Sequence, residues 1–231
     1  MPPFLPRATL ALAVAAALGF GLAACNKPAA DATPAATAAA AAPTAEQVKA
    51  ESARLNAWFE KKYEEQLQFS PIQLTMLGRK ELYDQIDDMS EAGMRRQLAW
   101  QEASVKEMET GFDYKKLDPE TQLSFDLWKK QYENARDGMD FIGNGYPFEQ
   151  MGGAQSFAPT FLINFHKVEE ESDYLAYVAR LNKFGTVFDQ RLEQARGSVA
   201  KNIRPPKFAY EGVIEQSRKV ITGAPFDAGQ D

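Results

Sequence analysis

Residues 172–199, SDYLAYVARLNKFGTVFDQRLEQARGSV, decide the fold. Tyr174, Val178, Leu181, Phe184, Phe188, Leu192, Ala195 and Val199 recur every three or four positions, the spacing of one face of an α-helix. Gly185 falls inside this stretch and either divides it into two helices or bends one. Just upstream, Glu169, Glu170, Glu171 and Asp173 place negative charge where it complements the helix dipole, and the run reads as a solvated face. Before that, Phe157, Phe161 and Phe165 repeat every fourth residue, which predicts a short helix whose aromatic stripe is core first and groove wall second. His166, the only histidine, follows Phe165 and reads as a structural residue rather than a ligand.

Working towards the N-terminus, start signals recur. Asp118-Pro119-Glu120 combines a cap, a first-turn proline and an acid. Leu123, Leu127, Trp128, Tyr132, Ala135 and Met139 supply the apolar side of that helix, and Gly138 is the expected left-handed cap at its end. Ser90 caps another helix with the stripe Met94, Leu98, Val105, Met108 and Phe112. Ser70-Pro71 opens a short helix that ends near Gly78. Thr44-Ala45-Glu46-Gln47 has the form of a capping box, followed by Val48, Leu55, Trp58, Phe59, Tyr63 and Leu67 at helical spacing up to about Gln68. Between the helical segments, residues 141–156 (FIGNGYPFEQMGGAQS) hold five glycines or prolines and no helical period; irregular connections of that length are uncommon unless functional. On the C-terminal side, Arg204-Pro205-Pro206 forces a turn, and Tyr210, Val213, Ile214 and Ile221 mark a last helix. No window alternates apolar and polar residues, so the expected fold is all-α, a multi-helix array.

The first 24 residues are of a different kind. Arg7 is their only charge, Leu10 to Leu22 is continuously apolar, and small residues precede Cys25. That order is the one a secretory signal requires, and the run is too short for a stable span, which needs ~20 apolar residues. Leu22-Ala23-Ala24-Cys25 resembles the lipidation signal of bacterial lipoproteins, in which the cysteine becomes the acylated N-terminus. Two or more acyl chains anchor stably, each buried methylene contributing ~0.8 kcal/mol. Asn26, where such lipoproteins carry Asp for inner-membrane retention, implies the outer membrane, facing the periplasm. Residues 26–44 are rich in Ala, Pro and Thr and cannot bury enough surface to order themselves; as a coil they span ~25 Å. The expected organisation is a signal peptide over 1–24, a lipid-anchored disordered tether over 25–44 and a helical domain over 45–231.

Composition narrows function. Without residues 1–24 the chain keeps 25 basic against 32 acidic side chains, a net charge of −7. That excludes the basic stripe that nucleic-acid binding needs. With its one cysteine lipidated, the protein forms no disulfide and no thiolate zinc site. A His-x-x-x-His pair, a supported Ser-His arrangement and a glycine-rich phosphate loop are absent, so no residue is assigned a catalytic or metal-binding role.

The segments Phe69-Ser70-Pro71-Ile72-Gln73 with Gly78, Tyr146-Pro147-Phe148-Glu149-Gln150-Met151-Gly152-Gly153, Tyr174 to Leu181, and Ile203-Arg204-Pro205-Pro206-Lys207 resemble, in order and distance, the bacterial family called domain of unknown function 885. The resemblance runs from about Leu55 to Phe226. Its longer members are similar to helical zinc metallopeptidases, with a His-Glu-x-x-His helix in the C-terminal half that holds zinc and activates water. The resemblance therefore implies an N-terminal portion of a larger metallopeptidase-like fold, truncated or split, with zinc and peptide substrate belonging to the complete family domain. It implies a C-terminal half, in cis or in trans, as partner, and Gln150, Gly152 and Gly153 as candidates to line a substrate channel. The alternative is a non-catalytic binding or scaffold lipoprotein. An exposed apolar face is expected where a partner half would pack.

Overall fold

A computed structural model describes residues 42–222, and they form seven α-helices: α1 (Ala45–Leu67), α2 (Pro71–Met76), α3 (Glu91–Gly111), α4 (Pro119–Gly138), α5 (Ala154–Asn164), α6 (Glu171–Ala200) and α7 (Lys207–Thr222). Among the described residues there is no strand, and no helix is long and apolar enough to cross a membrane. The expected signal peptide, Cys25 and the expected tether as far as residue 41 lie outside the described residues, as do residues 223–231.

Local chemistry sets the helix starts. Thr44 accepts from Gln47 N–H at 3.2 Å while the Gln47 side chain accepts from Thr44 N–H at 2.9 Å, the reciprocal pair expected at α1. Ser70, Ser90 and Asp118 accept from the N–H groups of Gln73, Gly93 and Thr121 at α2, α3 and α4. Each satisfies a backbone donor that the first turn leaves free. Asp118 N–H also donates to Ser52 Oγ at 2.9 Å, which ties the start of α4 to α1. Gly78, after α2, has φ +77°, a conformation that costs a residue with a Cβ about 1–2 kcal/mol.

Two apolar clusters hold the helices together. Leu55, Met108, Leu117 and Phe125 join α1, α3, the 114–116 turn and α4, ringed by Trp58, Phe59, Phe112 and Trp128. Trp58 meets Phe112 and Trp128 edge-on at 5.8 and 5.6 Å, favourable quadrupole geometry. Leu55 and Met108 are fully enclosed, each contributing about 1.5–3 kcal/mol by leaving water. The second cluster, Ile72, Ala158, Phe161, Leu162, Phe184 and Val187, joins α2, α5 and α6. Residues 78–89, an irregular strap between α2 and α3, lay Ile86 and Met89 over it.

The structure corrects several readings of faces and ends. Leu123 and Leu127 are 58 % and 51 % exposed; α4 turns Thr121, Phe125 and Trp128 inward instead. Gly138 has φ −65° and is no left-handed cap, because the chain runs on into a 3-10 turn over Met139–Phe141. α6 passes through Gly185 unbroken: the packing of Phe184 and Val187 on either side outweighs a glycine cost of about 1 kcal/mol. Its inward residues are Asp173, Ala176, Arg180, Phe184, Val187 and Ser198, whereas Tyr174, Leu181, Leu192 and Val199 of the expected stripe are exposed. Glu169, Glu170 and Glu171 are solvated, but Asp173 is buried.

Candidate functional site

α6 carries three polar residues on its core stripe, Asp173, Arg180 and Ser198, and distant parts of the chain converge on them. Arg180 is fully buried. A guanidinium has five N–H donors in a fixed fork, and here they reach five acceptors. Nε donates to Gln85 O at 2.8 Å, Nη1 to His166 Nδ1 at 2.9 Å, and Nη2 to Thr75 Oγ1 at 2.7 Å, Pro71 O at 3.2 Å and Leu82 O at 3.4 Å. The cation also lies over Tyr83 and Phe161, 4.8 and 5.2 Å from their centroids. Burial pulls its pKa down to about 10, so it stays charged at neutral pH.

His166 follows from that geometry. Arg180 can only donate, so Nδ1 accepts; the Asp173 carbonyl, 2.9 Å from Nε2, can only accept, so the ring proton sits on Nε2. The ring is buried and stacks on Tyr83 at 4.1 Å. Burial, and then the Arg180 charge, push its pKa below the ordinary value, against the pull of the Asp173 carbonyl. The structural reading of His166 holds. The Asp173 carboxylate takes Lys80 at 2.9 Å and the N–H groups of Glu169 and Glu170, and the Lys80 bond is the main reason its carboxyl is held below the usual range. Sequence reasoning missed this hub. The available signal was Arg180 in helical phase with Phe184 and Val187.

The glycine-rich connection lies at the other end of the second cluster. Ser198 Oγ donates to Gly143 O at 2.8 Å, fixing the start of the connection to α6. Gln155, buried, donates through Nε2 to Glu149 O and to Gln216 Oε1, both at 2.7 Å, and Gln216 Nε2 donates to Gln150 O at 2.9 Å. Gln150 is thus stitched to α7, where Gly212 allows close approach: a Cβ on it would lie 3.1 Å from that of Gln150. Gly153 is the N-cap of α5, and a Cβ there would meet Glu149 N at 2.4 Å. Gly152 is exposed, its N–H donating to the Glu149 carboxylate. The three are therefore neighbours in one tight turn.

Two apolar recesses flank this turn. A cavity of about 150 Å³ lies between Tyr146-Pro147-Phe148, the end of α6 (Ala195, Val199) and the start of α7 (Ala209, Val213). An open groove runs between α5, α6 and α7, lined by Pro159, Leu162, Ile163, Tyr177, Leu181 and Val220. On its walls Ile163 is 76 % exposed and Leu181 54 %. The Phe157, Phe161, Phe165 stripe divides accordingly: Phe161 is core, Phe157 packs against it, and Phe165 is exposed.

Among the described residues no three His, Cys, Asp or Glu side chains gather to hold a metal ion, and His166 has both ring nitrogens engaged. The zinc implied by the resemblance does not fit the donors present there.

The model of a bacterial protein family of unknown function, DUF885, matches residues 71–230. The chain belongs to the DUF885 family. No curated protein and no solved structure matches it. In this DUF885 protein the match starts at Pro71, the first residue of α2, so α1 precedes the matched segment. The Arg180 hub, the glycine-rich turn and both recesses lie inside it.

Proposed function

We propose that this DUF885 protein is a lipid-anchored envelope component, held at the outer membrane through Cys25 and facing the periplasm. Its helical domain serves as the docking wall for a metallopeptidase-like half that carries zinc chemistry, and it is not hydrolytic by itself. The observation that carries this reading is the groove between α5, α6 and α7, with Ile163 and Leu181 exposed on its walls. Contiguous apolar surface of that kind favours association. In this reading Gln150, Gly152 and Gly153 are the candidates to line the channel between the two halves.

Binding of a polypeptide containing a family His-Glu-x-x-His helix, with chelator-sensitive peptide cleavage arising only in the mixture, is the expected result. Zinc-dependent cleavage by this chain alone would overturn the reading. Cys25→Ser should move the chain out of the membrane fraction; unchanged membrane partition would remove the lipid anchor. The second reading, a scaffold lipoprotein working unaided, is favoured by cores complete within the chain, with Leu55, Leu74 and Met108 at 0 % exposure. Failure of any family half to bind, with a cooperative thermal transition for the chain alone, would select it.

A further inference from the structure

The strap over residues 78–89 has no regular structure, and Leu82 within it sits at φ +54°, a strained conformation for a residue with a Cβ. Its ends are tied independently, Arg79 to Glu64, Asp87 to Ser70 and Ile72, and Met89 to Gln190 and Gln194. Lys183 donates to Asp84 O and Gln85 Oε1, while the middle of the strap also closes on one ring. Arg180 reaches Leu82 O and Gln85 O, and its orientation is completed by His166 Nδ1. Tyr83 stacks on the same imidazole and donates to Lys167 O at 3.0 Å. We propose that the middle of this strap, residues 82–86, opens in acid, held shut by neutral His166 wedged between Arg180 and the Asp173 carbonyl.

A proton added to His166 has one place to go, Nδ1, which faces the guanidinium of Arg180 at 2.9 Å. It would turn the acceptor of that bond into a donor and set a second cation against the first. The groups facing the ring are Arg180, Asp173 and Tyr177 from α6 and Lys80 and Tyr83 from the strap. Asp173 is the one carboxylate among them, and Lys80 already occupies it at 2.9 Å. Protonation is therefore accommodated by separating ring and guanidinium, which releases the Arg180 bonds to the Leu82 and Gln85 carbonyls and the Tyr83 stack, while Asp87 and Met89 stay tied to α2 and α6. Once the ring meets water its pKa returns to 6.5. The ratio of open to closed strap then rises about tenfold for each pH unit below that value, until the closed form itself takes up the proton.

The test is amide hydrogen exchange on the full chain, corrected for intrinsic rates, between pH 7.5 and pH 5. The expected result is level protection above pH 6.5 and about a tenfold loss per pH unit below it in residues 82–86, while amides in α1, α3 and α4 keep theirs. His166→Gln should hold strap protection level across the range. Equal loss in His166→Gln, loss shared by α1, α3 and α4, or no loss in the wild type would each overturn the proposal. Should His166→Gln fail to fold, the ring resonances of the single histidine can be followed in the wild type. Strap opening that does not track their titration overturns it equally.

Discussion

Arg180 Nη2 donates to Thr75 Oγ1 at 2.7 Å across 105 residues of sequence, and Thr75 Oγ1 in turn donates to Pro71 O at 3.0 Å. The bond joins the middle of α6 to the last turn of α2, and every atom in it is buried. Arg180→Met keeps the volume and removes the donors. It leaves the Gln85 carbonyl and the His166 nitrogen without the partner they have, and equilibrium unfolding should lose about 3–5 kcal/mol. Thr75→Val removes one link and should lose about 1–2 kcal/mol. A loss below 1 kcal/mol for Arg180→Met would show that the hub does not hold the fold.

The glycine-rich turn separates two adjacent residues. A Cβ at Gly153 would press on Glu149 N and O at 2.4 and 2.7 Å, both backbone, whereas at Gly152 the nearest atom is 3.5 Å away. Gly153→Ala should destabilise by about 1–3 kcal/mol through the forced backbone shift, and Gly152→Ala should stay within about 0.5 kcal/mol. Thermal denaturation of the two variants checks the contrast, and equal midpoints would contradict it.

The exposed apolar side predicts solution behaviour. The wild type should bind a hydrophobic dye and self-associate at high concentration, and Ile163→Ser with Leu181→Lys should reduce both. Because both side chains are more than half exposed, stability should change by no more than about 0.5 kcal/mol each. Dye titration and sedimentation provide the readout; wild-type indifference to the dye would deny the docking surface.

Ser90 caps α3 and carries no charge, so Ser90→Ala should cost about 1 kcal/mol at any pH. Asp118 behaves differently. Its bonds from Thr121, the backbone N–H first, hold its carboxyl below the ordinary 3.8. A depressed carboxyl contributes stability that is complete above 3.8 and disappears as pH falls through the folded value. Asp118→Asn keeps the cap without the titration, so the wild type should lose more stability than the variant between pH 5 and pH 2.5. Parallel slopes in urea denaturation across that range would refute the assignment.

The helices and where they start were legible in the chain, since Thr44, Ser70-Pro71, Ser90 and Asp118-Pro119 act on N–H groups two or three residues away. Family membership was legible too, through the order of several short segments that the family match spans from residue 71 to 230. Which face of a helix turns inward was not. On α4, Leu123 and Leu127 satisfy the helical period as well as Phe125 and Trp128 do, and only the positions of α1 and α3 decide which pair is covered. The hub lay further out of reach. His166, Thr75 and Gln85 stand 14, 105 and 95 residues from Arg180, and a charged residue in phase with an apolar stripe does not name its partners. Local capping chemistry is written in adjacent residues and survives without tertiary context. Burial is a property of what the other helices leave uncovered, so the enclosed Arg180 hub, the solvent-facing leucines and the open groove beside α7 were decided only when the whole chain packed.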